Sequence, residues 1–96
     1  MVRPIRKRFL RGQPGAYYFK PQGIPLRNLE EVVLEADEFE ALRLHDYCNL
    51  NQIDASGQME ISQPTFARTL DRAYKKIAKA LVDGSAIKIS SFDAEL

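Results

Sequence analysis

The sequence predicts a mainly α domain: a helix-turn-helix core over residues 37–84, with a basic N-terminal arm and one or two short β-strands. Three observations carry this. Residues 51–70 read as two helices joined by a tight turn. Residues 62–83 place apolar residues at helical spacing, opposite an arc of one charge sign. The remaining β-prone stretches are short and lie far from one another in the chain.

Taken in order, residues 1–12 form an arm with Arg3, Arg6, Lys7, Arg8 and Arg11, and only Phe9 and Leu10 stand out in it as core formers. A single domain then spans 13–90, and 91–96 is expected to be a flexible tail. Between the turn signals Pro14-Gly15 and Pro21-Gln22-Gly23, Ala16–Lys20 is rich in strand formers. Pro25–Glu31 suggests a short helix with Leu26 and Leu29 on one face, and Val32–Leu34 is β-prone and extended. Asp37 followed by Glu40 has capping-box spacing and starts a helix to about Tyr47. Phe39, Ala41 and Leu42 would pack on the helix pair that follows; Leu44 falls off that stripe.

Asn51 can cap the first helix of the pair, in which Ile53 and Met59 are the expected apolar anchors, with small Ala55 and Ser56 between them. Two helices crossing steeply exclude bulk at the crossing, which is why small residues suit this place. Ser62 caps the second helix, and Pro64 is tolerated in its first turn because the early amides have no intrahelical partner. Gly84 is the expected left-handed stop. Ala86–Ser90 alternates as a strand. Two short strands make no independent sheet, so they pair with each other or complete a sheet across a dimer.

On a helical wheel, Phe66, Thr69, Leu70, Ala73, Tyr74, Ile77, Ala80 and Leu81 share one face. Arg68, Arg72, Lys75, Lys76 and Lys79 occupy the opposite arc with Thr65, and Asp71 lies at its edge. A solvated helix usually interleaves both signs. A row of one sign instead suits a phosphate-lined groove, where Lys and Arg displace counterions; the bland reading is a basic face with no partner.

The net charge of +1 conceals segregation. Residues 1–27 hold seven bases and no acid, 28–61 hold nine acids against Arg43 alone, and 62–89 return to six bases against two acids. A nearly neutral chain can thus present a cationic surface to a polyanion. The acidic middle could repel DNA, meet a protein partner, or fold against the basic ends. No apolar run approaches a membrane span, and the single Cys48 excludes an internal disulfide, so a cytoplasmic protein is expected.

Other clusters favour structure over chemistry. Tyr17, Tyr18 and Phe19 beside Lys20 could stack on single-stranded nucleic acid, but such a run is more often a strand packed on the core. The basic arm could enter a minor groove, or be a solvated terminus. His45, Asp46 and Cys48 lack the further ligands of a zinc site and the paired base of a thiol nucleophile. Cys48 is therefore read as a small buried residue. No Gly-rich phosphate loop is present. No enzyme activity, metal or cofactor is expected.

With RPIRKR at 3–8, FKPQGIPL at 19–26, LEEVVLEADEFEALRLHD at 29–46 and the helix pair after them, the chain resembles a family of small uncharacterised prokaryotic proteins predicted to bind DNA. Their helical part is similar to the helix-turn-helix of region 4 of sigma-70-type factors. The resemblance runs from Arg3 to about Ile89. It implies that Gln63, Thr65, Arg68 and Arg72 face DNA, with Gln63 and Arg68 able to pair with adenine and guanine edges. Arg72, Lys75 and Lys76 would meet phosphates, which position without specifying. The chain departs from the family pattern at Glu60, where relatives often have Gly in the turn, and at Lys7, where many have Cys. Gly57 inside the first helix is a further weakness.

The expectation is a DNA-binding transcriptional regulator. Its helix from Ser62 would enter the major groove of double-stranded DNA, with Lys79 extending the phosphate contacts and Arg3, Arg6, Lys7 and Arg8 assisting. A homodimer would supply two half-sites. No membrane and no small-molecule substrate enter this reading. The alternative is a protein–protein interaction module on the same scaffold, engaging a partner through the Phe39/Leu42 helix or a sheet edge.

Overall fold

The computed structural model describes residues 14–90. The arm at 1–12 and the tail at 91–96 lie outside the described residues. Strand β1 is Tyr18–Phe19, followed by a 3-10 turn at Leu26–Asn28 and strand β2, Glu31–Leu34. Helix α1, Ala36–Leu42, runs on into a π turn at Arg43–Tyr47; α2 is Gln52–Met59, α3 is Gln63–Asp83, and β3 is Ala86–Ile89. The fold is mainly helical with a small three-stranded sheet.

The strands all meet within one chain, in the order β1-β3-β2. β1 runs antiparallel to β3, with Tyr18 opposite Lys88 and Phe19 opposite Ile87. β2 runs parallel to β3, from Glu31 opposite Ala86 to Leu34 opposite Ile89. The two end strands thus pair with each other, and the stretch at Val32–Leu34 joins as a third. The three helices form the long crossover that parallel pairing requires. Alternation in β2 buries Val32 and Leu34 and exposes Glu31 and Val33.

The helix starts and stops are chemically explicit. Asn51 Oδ1 accepts from the Asp54 N–H at 2.8 Å, and Ser62 Oγ from the Thr65 N–H at 3.2 Å. Gly84 ends α3 in the left-handed region at φ 72°, where a Cβ would be strained. α1 begins earlier than the Asp37–Glu40 spacing suggests: the Glu35 N–H donates to Glu38 Oε1 at 2.9 Å, so the box sits two residues upstream. The expected helix at 25–31 is only a 3-10 turn, because Leu26 is exposed and Glu31 is already in β2.

Two apolar clusters hold the domain together. One joins Ala41 and Leu44 to Ala55, Met59, Phe66 and Leu70, and so locks α1 and its π turn onto the α2–α3 pair. The other joins Leu34, Ala73 and Ile89, with Phe39, Leu42 and Ile87 packed against them, and so seats α1 and α3 on the sheet. α1 is therefore apolar on two sides, which gives Leu44 its partner.

Four expectations are corrected here. Ile53 is 63% exposed, since α2 is anchored from its Ala55/Ser56/Met59 side. Tyr74 and Leu81 are also exposed, at 41% and 76%, and the Tyr74 hydroxyl bonds Asp46 at the surface instead of the ring entering the core. Cys48 is exposed just past the π turn. Phe19 belongs to a paired strand, but it sits at the sheet edge and is 52% exposed.

Candidate nucleic-acid interface

α3 is the element on which the expected contact residues converge, and its orientation follows from its buried face: Phe66, Thr69, Leu70, Ala73 and Ala80. The Thr69 hydroxyl donates to the Thr65 carbonyl at 2.9 Å, which satisfies a polar group inside that face. Gln63, Arg68, Arg72, Lys75 and Lys79 are exposed, while Thr65 and Lys76 are half-buried.

At the start of the helix the Ser62 hydroxyl donates to Thr65 Oγ1 at 2.9 Å, and Arg68 approaches the same oxygen at 3.4 Å. Ser62 and Thr65 thus serve the cap. Gln63 has no side-chain hydrogen bond among the described residues. Arg68 has no carboxylate partner among them, and its one long contact holds it weakly.

Along its own helix the cationic row meets only the exposed acids Asp71 and Asp83, but a buried acid approaches it from another helix. Glu38 of α1, buried to 2% exposure, reaches across to it. Its Oε1 accepts from Lys76 Nζ at 2.7 Å and its Oε2 from Arg72 Nε at 3.1 Å. Asp37 adds a second acid 4.0 Å from Arg72. Lys76 Nζ also donates to the Val33 carbonyl at 2.8 Å, covering part of the outer edge of β2. Burial pushes the Glu38 carboxyl up. The hydrogen bonds from Lys76, the Glu35 N–H and Arg72 outweigh it and hold the carboxyl below the ordinary glutamate value.

Lys76 is thereby a structural strut. Arg72, still 53% exposed on its side chain, keeps an outward surface but shares its charge with α1. Lys75 and Lys79 differ in kind. They pair with Asp71 at 3.2 Å and Asp83 at 2.7 Å across one helical turn, and all four side chains are well exposed. Such pairs contribute little and yield readily to a polyanion. Of the five cations, Arg68, Lys75 and Lys79 are thus the ones available to an outside partner, with Arg72 partly so.

Sequence reasoning missed Glu38, although the signal was present. Glu35-x-x-Glu38 has capping-box spacing just as Asp37-x-x-Glu40 does, and choosing it turns Glu38 towards α3. This also decides the place of the acidic middle: Asp37 and Glu38 fold against the basic helix. Glu40, 1% exposed, takes two hydrogen bonds from Arg43 at 3.0 and 2.8 Å.

The turn between α2 and α3 carries Glu60 at φ 59°, ψ 44°. Its N–H bonds the Gly57 carbonyl, and the Ile61 N–H bonds that of Ser56, as a left-handed helix stop requires. A side chain there costs about 1 kcal/mol. Glu60→Gly is expected to raise stability by about 0.5–1 kcal/mol in a urea titration, because the left-handed strain disappears while the unfolded chain gains freedom. The other cluster of interest, at the π turn, holds no metal-binding group: among the described residues no three His, Cys, Asp or Glu converge. His45 Nδ1 lies 2.8 Å from the Leu50 carbonyl, and Asp46 accepts from the Tyr74 hydroxyl at 2.7 Å. Among the described residues no helix is long and apolar enough to cross a membrane.

Residues 1–95 match the family model described as protein of unknown function DUF134, and the chain belongs to that family. It is 48% identical over 89 residues to a UPF0251 protein of Caldanaerobacter subterraneus, covering 93% of this chain and 75% of the relative. A UPF0251 protein of Moorella thermoacetica is 49% identical over 93% of this chain and 60% of its own length. One from Desulforudis audaxviator is 50% identical over 99% of this chain and 62% of its own. No solved structure matches the chain.

Proposed function

We propose that this DUF134-family chain is a DNA-binding protein without enzymatic activity, a transcriptional regulator whose α2–α3 pair works as a sigma-70 region 4-like helix-turn-helix. The first half of α3 enters the major groove. Gln63 and Arg68 read base edges there, while Lys75, Lys79 and the outward side of Arg72 meet phosphates. The observation that supports it most is the division of labour on α3. The residues placed to touch DNA are uncommitted or weakly paired, whereas the cation buried against the protein, Lys76, lies nearest the sheet. A homodimer would extend so short a reading surface to two half-sites.

The competing reading, a protein-interaction module, draws support from Glu38 and Asp37 neutralising part of the row and from Glu60 beside the helix start. A fluorescence-anisotropy titration of duplex DNA over a salt series separates the two. Binding should weaken linearly on a log–log plot. Lys75→Ala with Lys79→Ala should flatten the slope by roughly two, about one per lost phosphate contact, whereas Lys76→Ala should leave the slope of the folded fraction unchanged. Absence of duplex binding at low salt would overturn the DNA reading in favour of the interaction module.

A further inference from the structure

Arg72 stands inside the exposed ridge of α3: positions 68, 72, 75 and 79 are spaced four, three and four apart and so share one stripe. It differs from its neighbours in what holds it. Lys75 and Lys79 are tied to exposed acids one turn away on α3, whereas Arg72 is gripped from α1 by a carboxylate with almost no exposed surface. That carboxylate cannot swing. Glu38 Oε1 accepts from the Glu35 N–H at 2.9 Å and from Lys76 at 2.7 Å, which leaves Oε2 facing Arg72. The grip is through Nε alone, at 3.1 Å. A guanidinium carries five N–H donors in one rigid plane. The other four, on Nη1 and Nη2, make no hydrogen bond among the described residues; Asp37 Oδ2 stands 4.0 Å from Nη2, too far for one. This outer fork is the part of the side chain that fits two oxygens of one phosphate.

We infer that Glu38 is a positioning residue for DNA: it holds Arg72 by Nε so that the Nη1/Nη2 fork meets one backbone phosphate, and Asp37 is the internal anion which that phosphate displaces. The inference rests on the DNA reading above and adds to it a residue of α1, outside the helix pair. An arginine already clamped at Nε gives up less rotamer freedom on meeting a phosphate than a free one does. The signature is a reversal of sign between two neighbours. By charge alone, removing an acid beside a polyanion tightens binding. Asp37→Asn, at an exposed site, should tighten it by about twofold. Glu38→Gln removes the same charge one residue on, yet it should weaken binding by about fivefold, because the clamp is lost.

Anisotropy titrations of the full chain with a mixed-sequence duplex test this, since phosphate contacts do not depend on sequence. The series is the native protein, Asp37→Asn, Glu38→Gln, Arg72→Ala and the Glu38→Gln/Arg72→Ala double variant, each corrected for its folded fraction. Glu38→Gln should weaken binding in the native background and change it by less than about twofold once Arg72 is alanine. An equal loss in both backgrounds, or tighter binding by Glu38→Gln, would overturn the inference and leave DNA binding standing. Arg72→Lys decides the matter if Glu38→Gln does not fold. One ammonium cannot hold Glu38 and present a fork at once, so this variant should lose most of what Arg72→Ala loses. Native-like affinity in Arg72→Lys would overturn the inference. The free protein gives a reading that needs no DNA: the Arg72 Nε–H signal should be sharp and protected from exchange in the native chain. An unprotected native signal would overturn the clamp itself. A protected signal without duplex binding at low salt would instead strike the DNA reading, and the positioning role with it.

Discussion

Lys76→Ala should lower folding stability by about 2–4 kcal/mol at neutral pH, read as the shift of a urea transition. The Glu38 carboxylate is 2% exposed, and its shortest hydrogen bond comes from Lys76. Removing one partner of a buried ion pair leaves the other charge poorly compensated, which is far costlier than losing a surface pair. Arg72 remains and limits the loss, while the Val33 carbonyl loses its donor and the β2 edge is uncovered. The pH dependence identifies the cause. In the native protein the depressed Glu38 carboxyl contributes stability that is full above the ordinary glutamate range and lost as pH falls through its lower folded value. In the variant the lowering effect of Lys76 is gone, so the carboxyl takes its proton at a higher pH than in the native protein and the penalty is relieved by protonation. The gap between the two proteins should therefore be widest near neutrality and narrow on acidification. A gap constant from pH 7 to pH 4 would assign the loss to packing alone.

Phe66→Ala should cost about 3–5 kcal/mol, the usual range for emptying a fully buried aromatic site. Phe66 has no exposed surface and sits among Ala41, Leu44, Ala55, Met59 and Leu70, with the His45 ring edge-on at 6.4 Å. Three of the helical segments meet on this one side chain, and small Ala41 and Ala55 cannot move in to fill the void. For a domain of this length that is a large share of the total stability. Ile53→Ala, on the exposed side of α2, should change stability by no more than about 0.5 kcal/mol. Parallel urea titrations of the two variants check both values, and a similar loss in each would contradict the packing described for α2.

What could be read in advance was local chemistry. Asn51, Ser62 and Gly84 bound their helices as their side chains and backbone preferences dictate, and the buried residues of α3 from Phe66 to Ala73 follow the 3.6-residue period. The sheet was half legible: the β-prone runs were visible, but their order requires knowing that residues 35–85 fold into a crossover. Leu44 had no evident partner because a helix between two layers is apolar on two sides, and a search for one stripe misses the second. Tyr74 and Leu81 obey the period yet are exposed, since periodicity gives the face of a helix and not which positions on it are covered. The cationic row was legible as composition and misleading as a surface. Asp71 and Asp83 lie within reach of a wheel, but Arg72 and Lys76 are neutralised by Glu38, which is remote in sequence, and no wheel drawn for one helix can contain it.

The central position of β3 has a consequence for biogenesis. Because the ribosome delivers residues 86–89 after β1, β2 and the three helices, β1 and β2 lack their shared neighbour until β3 emerges. A nascent chain arrested at Gly84 would hold the packed helices but leave two bare strand edges and the Leu34 side of the core uncovered. Folding of the described residues is thus gated by β3, and fragments that end before Ile89 should be caught by proteolysis or self-association rather than persist as a smaller working unit.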